Sequence, residues 1–202
     1  YYAGKAEVEA LVRASAKSYA IIRPTLVVGP ADVLTNNIAW FLRRFPLFPL
    51  PGGGKYRLQP VTLSDTARIV ADAAASTGKL EADAAGPEVF TFQEFVRLLA
   101  RACGVRRWLL GTPAWCALSA LRGVGFVLGD VVLTREELLG LQQELLLSHA
   151  APLGRESVSA WLMAHGAQLG RRYENDLWRH FGKGKELPIL APQRKLEVKS
   201  EQ

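Results

Sequence analysis

Two side chains at the start of the chain have the types and the spacing of a proton-transfer pair. Tyr1 and Lys5 are four residues apart, and residues four apart lie on one face of a helix. A free phenol has a pKa of about 10, and a neighbouring ammonium favours the phenolate and lowers that pKa by about 1 to 3 units. The pair could therefore accept a proton from a hydroxyl group or return one. Tyr2 lies off this face, and the alternative is a surface helix on which the spacing arises by chance.

The segments that follow predict the elements that must position this pair. Residues 6–12 continue a helix with an apolar stripe. Residues 19–23 are a short apolar run, ended by Pro24, as a buried parallel strand requires. Ligands of open α/β sheets bind beyond the carboxyl ends of the strands. We therefore expect residues 24–29 to border whatever Tyr1 and Lys5 act on.

Three segments resemble the second half of the extended and atypical short-chain dehydrogenase/reductases. Within that family, the chain is similar to the branch of the bacterial NAD-dependent epimerase/dehydratase proteins and the nucleotide-binding accessory subunit of respiratory complex I. Residues 34–39 and 133–138 strengthen this narrower resemblance. The resemblance implies an α/β fold, in which the C-terminal portion of a Rossmann-type NAD(P)-binding domain is followed by a mainly helical subdomain for substrate or partner binding. The three segments are Tyr1 to Lys5, Arg23-Pro24-Thr25-Leu26-Val27-Val28-Gly29-Pro30 and Gln59 to Ala67.

The resemblance also implies roles for individual residues. Tyr1 would be the catalytic acid/base, and Lys5 would hold the nicotinamide ribose and lower the pKa of the tyrosine. The residues that would pass beside the nicotinamide of NAD or NADP are Pro24, Thr25, Leu26 and Val27.

The predicted substrate side is more apolar than that of the nucleotide-sugar members of the family. Leu26 and Val27 stand where those members often carry asparagines, and Leu58 stands where they often carry a phosphate-clamping arginine. A buried phosphate without polar partners is costly. An apolar or lipid-like substrate therefore fits the cleft better than a nucleotide sugar. The substrate-side candidates are Asn36, Asn37 and Arg57.

The Gly-rich turn that binds the pyrophosphate in this family would lie upstream of Tyr1. Because the chain also lacks an initiator methionine, we expect a C-terminal fragment that is inactive by itself, and the residue that selects NAD or NADP would lie in the missing half. A glycine run at 123–129 follows a helical pattern rather than a strand. That context favours a helix end over a cofactor loop.

The chain is predicted to divide into three segments. Residues 1–75 would complete the NAD(P)-binding domain, with a cleft helix inserted within 31–56, residues 76–181 would form the helical subdomain, and residues 182–202 would be a disordered basic tail. Capping boxes begin helices after Thr91 and Thr134, and Ser64 would cap a helix over 65–75. Prolines and glycines predict a loop over 46–54. Further helices are expected over 36–45, 157–164 and 167–180, and strands over 57–63 and 105–110.

Composition and charge disfavour several other classes of function. The 202 residues are 49% hydrophobic and 22% charged, as in a globular protein. The net charge is +6, but the arginine doublets at 43–44, 106–107 and 171–172 lack an aromatic-basic motif and predict solvated surface rather than a nucleic-acid site. The remaining candidates for metal or redox chemistry are isolated in sequence, which predicts no metal site. They are the apolar thiols Cys103 and Cys116 and the histidines His149, His165 and His180.

Residues 108–133 are the strongest membrane candidate. Polar residues and Pro113 interrupt the segment, so that no span of about 20 apolar residues remains. Helical spacing of Trp115, Leu118 and Leu121 favours a packed, buried face over contact with lipid or a protein complex. We expect a cytoplasmic protein, with peripheral attachment to the inner face of a membrane as the alternative.

Three functions remain open. The first is an NAD(P)-dependent oxidoreductase or epimerase-like enzyme acting on a small molecule. The second is a non-catalytic NAD(P)-binding subunit of a larger, membrane-associated assembly. The third is a helical interaction module in which the Tyr1 and Lys5 spacing is coincidence.

Overall fold

Helices and short strands alternate along the chain, which confirms the predicted α/β class. The computed structural model describes residues 2–15, 17–175 and 178. Tyr1 and the predicted tail therefore lie outside the described residues. The elements are α1 (Tyr2–Ala14), β1 (Tyr19–Pro24), β2 (Leu26–Val28), α2 (Val33–Arg44), β3 (Leu47–Pro51), a 3₁₀ turn (Gly52–Gly54), β4 (Arg57–Leu58), β5 (Pro60–Thr62), α3 (Leu63–Ala75), β6 (Lys79–Ala84), β7 (Phe90–Thr91), α4 (Phe92–Ala102), β8 (Trp108–Thr112), α5 (Ala114–Leu128), α6 (Arg135–Gln142) and α7 (Val158–His165).

The strands pair two by two, mostly in parallel. β1 pairs with β6 from Tyr19↔Lys79 to Pro24↔Ala84, and β2 pairs in parallel with β5, as β3 does with β8. β4 and β7 form an antiparallel pair. Parallel partners need a crossover connection, and α3 packs against β1, β2 and β6 on the way between them.

The strands β2, β3, β6 and β7 were not predicted. Residues 79–84, near the start of the segment predicted to be mainly helical, form β6 beside β1. The predicted loop over 46–54 is wrong for residues 47–51, which form β3. Proline is tolerated at the edge of a sheet because a missing N–H on the open side breaks no ladder hydrogen bond. β3 pairs with β8 alone within the described part of the chain.

The helix starts are set by side-chain caps. The capping boxes at Thr91 and Thr134 are both confirmed. The predicted cap of α3 is wrong, because Thr62 Oγ1, not Ser64, accepts the hydrogen bond from Asp65 N at 3.1 Å. The Ser64 hydroxyl instead donates to the carboxylate of Glu156.

Two helix ends depend on glycine. Gly129 adopts a left-handed conformation (φ 62°) and ends α5, so the glycine run does mark a helix end. The helix predicted over 167–180 is wrong for residues 167–175, which form turns and irregular backbone. Gly170 has φ +66°, and a Cβ there would lie 2.3 Å from the carbonyl carbon of Ala39. The close approach to α2 therefore requires a bend at Gly170.

The hydrophobic core lies between α2, α4 and α7 and draws on both of the main predicted segments. Phe95, Val96 and Leu99 of α4 are fully buried at its centre. α5 lies at the edge of the core, and the predicted burial of Trp115 is wrong, because its side chain is 71% exposed. A helix that is apolar on all sides can bury just one face against a single neighbouring layer.

Arg43 and Arg107 are partly buried and bound to backbone, whereas Arg44, Arg106, Arg171 and Arg172 are exposed, as predicted. Arg43 donates to the carbonyl oxygens of Leu169 and Gly166, each at 2.8 Å. Arg107 donates to the carbonyl oxygen of Leu42 at 2.5 Å. These guanidinium groups satisfy a carbonyl in the last turn of α2 and carbonyls in the turns after α7, where helices lack internal partners.

Candidate functional site

Ion pairs fix α1 against β1 in a defined register. Arg23 donates to both carboxylate oxygens of Glu9, at 2.9 and 2.7 Å. Arg13 donates to both carboxylate oxygens of Glu81, at 2.7 Å each, and Glu81 lies opposite Ile21 in the sheet. Residue 13 of the helix is therefore level with residue 21 of the strand, and residue 9 of the helix is level with residue 23. α1 runs antiparallel to β1, with its first turn at the carboxyl end of the strand.

This register brings Lys5 to the predicted ligand side. Lys5 is one helical turn before Glu9, or about 6 Å along the axis. The same distance in β1 corresponds to about two residues beyond Arg23, so Lys5 lies about level with Thr25. The Lys5 side chain is exposed. Tyr1 lies outside the described residues, and its distance from Lys5 stays a prediction.

The carboxylates of this region are held in their charged form. Hydrogen bonds from Arg13 and Arg23 lower the pKa of Glu81 to about 2. The hydrogen bond from Arg23 likewise holds the pKa of Glu9 below its ordinary value. Groups that remain ionised and paired near neutral pH do not serve as proton acceptors. Glu9 and Glu81 are therefore weak candidates for a proton-transfer role.

The residues predicted beside the nicotinamide differ in their exposure. Pro24 is exposed and Val27 is half-buried, so both have surface with which a planar ring can pack, whereas the Leu26 side chain is buried in the core. The Thr25 hydroxyl donates to the carbonyl oxygen of Gln59 at 2.5 Å. Pro24 and Val27 therefore offer apolar surface, while the Thr25 hydroxyl is bound to backbone.

A cavity of about 310 Å³ opens between α2, β3 and α5. Its walls are aliphatic and aromatic, and among the described residues that line it only Asn37 and Tyr56 carry polar side-chain atoms. A site of this size and character suits a small apolar molecule or one apolar chain. Representative lining residues are Leu34, Phe41, Phe48, Pro49, Leu121 and Val124.

Tyr56 is the polar group on this wall that the sequence did not reveal. Its side chain is 8% exposed, and its ring stacks on Phe92 at 5.4 Å between centroids. The hydroxyl has no hydrogen-bond partner within the described residues, and burial raises its pKa. A tyrosine directly after a glycine turn carries no spacing signal, so only the packing identifies it. Tyr56 is a neutral donor that lacks an acceptor.

The three predicted substrate-side residues are engaged with the protein. Asn36 donates to the carbonyl oxygen of Asp32 at 2.8 Å and accepts from Gly170 N at 3.3 Å. Asn37 exchanges two hydrogen bonds of 2.9 Å with the backbone of Glu174. Arg57 forms an ion pair with Glu144 at 2.7 Å. Asn37 nevertheless borders the cavity, while Asn36 and Arg57 are absent from the residues that line it.

Asp65 is a buried anchor inside the segment that carried the family resemblance. Its side chain is 3% exposed and accepts from the backbone N–H of Arg155 (2.6 Å) and Glu156 (2.7 Å) and from Arg68 (2.8 Å). Burial raises the pKa of Asp65, but these hydrogen bonds outweigh it and hold the pKa below its ordinary value. Asp65 thereby ties α3 to the loop before α7.

The described residues offer neither a cluster of metal ligands nor a membrane-spanning helix. Residues 2–15, 17–175 and 178 contain no group of three or more His, Cys, Asp or Glu side chains that could hold a metal ion. Cys103 and Cys116 are free thiols, the first buried and the second half-buried. In the part of the chain that is described, none of the helices has the length and hydropathy needed to cross a bilayer.

Comparison with known proteins gives one relative in sequence. No family model matches the chain. Over 108 residues it is 31% identical to NADH dehydrogenase (ubiquinone) 1 alpha subcomplex subunit 9, mitochondrial, from Arabidopsis thaliana. The match covers 52% of this chain and 26% of that protein. The chain thus matches about a quarter of the length of this curated relative.

A solved bacterial structure shares the fold. A nucleoside-diphosphate-sugar epimerase from Staphylococcus aureus superposes with a TM-score of 0.58 at 16% identity, over 78% of this chain and 56% of the epimerase. A dTDP-4-dehydrorhamnose reductase from Bacillus anthracis overlaps with a TM-score of 0.47 at 10% identity, over 52% of this chain and 37% of the reductase. The chain has the fold of the Staphylococcus aureus epimerase. Its similarity to the plant NADH dehydrogenase subunit agrees with the predicted resemblance to a complex I accessory subunit.

Proposed function

We propose that this chain is the catalytic-pair and substrate-cavity portion of an NAD(P)-binding oxidoreductase or epimerase-like protein of the extended short-chain dehydrogenase/reductase type. Its substrate is apolar or lipid-like. The observation that carries the proposal is the cavity between α2, β3 and α5, whose described lining is almost wholly apolar.

The proposed chemistry uses Tyr1 and Lys5 at the carboxyl end of β1. The Lys5 ammonium favours the phenolate of Tyr1 and so prepares it to accept a proton from a substrate hydroxyl. Lys5 also binds the ribose of NAD or NADP, while Pro24 and Val27 pack on the nicotinamide. The cofactor, when bound, supplies the hydride acceptor or donor. The level of Lys5 with Thr25, inferred from the Glu9–Arg23 pair, supports this arrangement.

The choice of substrate class follows from the polar groups of the cavity. The amide of Asn37 is already bound to the backbone of Glu174, which leaves the neutral hydroxyl of Tyr56. A phosphate or sugar buried there would lose most of its hydrogen bonds to water without replacement. An apolar chain loses none, and gains from removal of its surface from water.

The test uses the natural protein that contains this chain. We expect NADH or NADPH binding by fluorescence titration, cofactor consumption with an apolar alcohol or ketone, and loss of turnover in Tyr1→Phe with binding retained. Lys5→Met would weaken cofactor binding, whereas the control Lys17→Met, also on an exposed side chain, would not. Turnover of a nucleotide-diphosphate sugar at an ordinary enzymatic rate would contradict the proposed substrate class.

A non-catalytic NAD(P)-binding subunit is the second candidate. The similarity to a mitochondrial NADH dehydrogenase subunit favours it. The ion pair between Arg57 and Glu144 also favours it, because it occupies a side chain that was predicted to bind substrate. In that role the cofactor would stabilise the fold within a larger complex. Cofactor that binds the natural protein but is never consumed, whichever apolar alcohol or ketone is supplied, would select this second function over the first.

A further inference from the structure

One face of α5 presents aromatic side chains and an arginine to solvent. Trp115 and Phe126 are eleven residues apart, which is about three helical turns, so they lie on one side of the helix. Their side chains are 71% and 91% exposed. Ser119 and Arg122 lie between them on the same exposed side. The opposite side packs inward through Ala117 and lines the apolar cavity through Leu121.

A groove of about 440 Å³ lies beside this face, between α5 and α6. Two arginines line it, Arg122 from α5 and Arg135 from the first turn of α6. Within the described residues neither has a carboxylate partner, in contrast to the ion-paired Arg13, Arg23, Arg57 and Arg68. Guanidinium groups that line one groove can both bind a phosphate that enters it.

Positive charge predominates around the groove, although Glu136, beside Arg135 on α6, is exposed. Residues 101–135 contain five arginines and one acidic residue, Asp130. Asp130 is buried and accepts a hydrogen bond from the Tyr173 hydroxyl at 2.7 Å, so it does not face the groove as a free anion. Two acidic residues follow Arg135 on α6. Of these, Glu137 is bound in the capping box with Thr134. The exposed face is therefore basic as well as aromatic.

We propose that this face docks on the surface of an anionic phospholipid bilayer. The lipid phosphate lies between Arg122 and Arg135, and the rings of Trp115 and Phe126 enter the interfacial layer, with Trp108, which is 79% exposed, at its edge. Indole rings concentrate at membrane–water interfaces because they join an apolar body to a polar N–H. Helices with apolar and basic surface bind there without spanning the bilayer.

The observations favour a membrane over a protein partner. A bilayer surface binds without shape complementarity to the protein. Its interfacial layer accommodates aromatic rings, and its anionic lipids attract arginines. A protein partner would have to supply an acidic group within an apolar pocket at this position. Docking of this face on a bilayer is independent of the proposed function, because vesicle binding needs neither a nicotinamide cofactor nor turnover.

The experiment measures co-sedimentation of the 202-residue chain with phosphatidylcholine vesicles that contain about a third phosphatidylglycerol. We expect binding to these vesicles and weak binding to pure phosphatidylcholine. The double variants Trp115→Ser/Phe126→Ser and Arg122→Gln/Arg135→Gln would each bind about tenfold more weakly. The control Leu11→Ser/Met163→Ser removes apolar side chains that are 74% and 57% exposed elsewhere, and it would bind like the unmodified chain. Circular dichroism verifies that every variant is folded.

Other results would overturn the proposal. Binding that survives both double variants would assign it to the basic residues of 182–202. Binding that inorganic phosphate abolishes at matched ionic strength would make the groove a site for free phosphate. Absence of vesicle binding would also overturn it, and self-association that Trp115→Ser/Phe126→Ser abolishes would then assign the face to a second copy of the chain.

Discussion

Two regions of this molecule differ in whether their polar side chains have hydrogen-bonding partners. In the polar region, formed by α1, β1, β6 and α3, the carboxylates of Glu9, Glu81 and Asp65 all have arginine partners. In the apolar region, formed by α2, β3 and α5 around the cavity, the buried hydroxyls of Thr35 and Tyr56 have no partner among the described residues. The difference indicates that the polar region is complete by itself, whereas the apolar region has room for a ligand.

The physical cost of each arrangement explains the contrast. A buried polar group without a hydrogen bond costs about 1 to 3 kcal/mol. The polar region avoids that cost and gains a fixed register between helix and strand, as a cofactor site requires. In the apolar region this free-energy cost arises at the Tyr56 hydroxyl, which has no partner among the described residues and lies beside the cavity of about 310 Å³. An acceptor on a bound ligand would remove the cost.

The largest expected effect concerns Asp65. Asp65→Ala leaves two backbone N–H groups and Arg68 without their acceptor in a buried site, and we expect a loss of about 3 kcal/mol or more in the free energy of unfolding. Urea denaturation measures it. The matched control is Asp72→Ala, whose side chain is 70% exposed and whose loss should stay within about 0.5 kcal/mol. Equal effects of the two substitutions would remove the assigned anchoring role.

Acid should weaken the polar region first. The folded-state pKa values of Asp65 and Glu81 are both lowered, the latter to about 2. Their contribution is therefore complete above the unfolded values of about 3.9 and 4.3, and declines as the pH falls through those values toward the folded ones. Denaturation midpoints between about pH 6 and pH 2.5 measure this decline. Asp65→Asn should flatten the profile, and an unchanged profile would show that the carboxylate carries no pH-dependent stability.

Removing one hydroxyl from each region should change stability in opposite directions. Thr25→Val loses the hydrogen bond to the carbonyl oxygen of Gln59 and should destabilise by about 1 kcal/mol. Tyr56→Phe removes a buried donor that lacks an acceptor, and should be neutral or stabilise by up to about 1 kcal/mol. Thermal and urea denaturation of both variants provide the measurement. Destabilisation by Tyr56→Phe would mean that the hydroxyl is already satisfied.

The smallest expected effect concerns the exposed ion pair at Arg13. Arg13→Gln removes the ion pairs that Arg13 forms with Glu9 and Glu81. All three side chains are partly exposed to solvent. Such pairs are screened by salt. We expect a shift of the denaturation midpoint smaller than that of Thr25→Val at low ionic strength, and none in concentrated salt. A large shift that salt leaves unchanged would indicate that Arg13 acts through packing.

The sequence predicted the elements whose pattern is local. The helix and strand of residues 2–24 and the helices after Thr91 and Thr134 were predicted because apolar periodicity and capping residues act within a few positions. β3 was missed because its two prolines, which follow Pro46, are typical of a loop and its pairing with β8 is a long-range contact. β6 was missed because its alternating Lys79, Glu81 and Asp83 give a weak strand signal without β1 beside it.

The candidate site could be predicted only in part, for the same reason. Lys5 and Thr25 were identified by motif, and their common level follows from long-range ion pairs that the sequence does not display. Tyr56 and the cavity depend on the packing of α5 against β3. The exposed face of α5 was predicted as buried because composition cannot say how many neighbours an apolar helix will have.

The most direct test of the account is ligand binding by the cavity. Fluorescence titration would compare a polyene fatty acid, cis-parinaric acid, with UDP-glucose on the 202-residue chain and on two variants. Val124→Trp fills the cavity wall, and Met163→Trp places the same ring on an exposed position outside it. We predict that the fatty acid binds to the unmodified chain and that UDP-glucose does not. Val124→Trp should weaken fatty-acid binding about tenfold or more, whereas Met163→Trp should leave it unchanged. Tighter binding of UDP-glucose than of the fatty acid, or fatty-acid binding unchanged by Val124→Trp, would contradict the account.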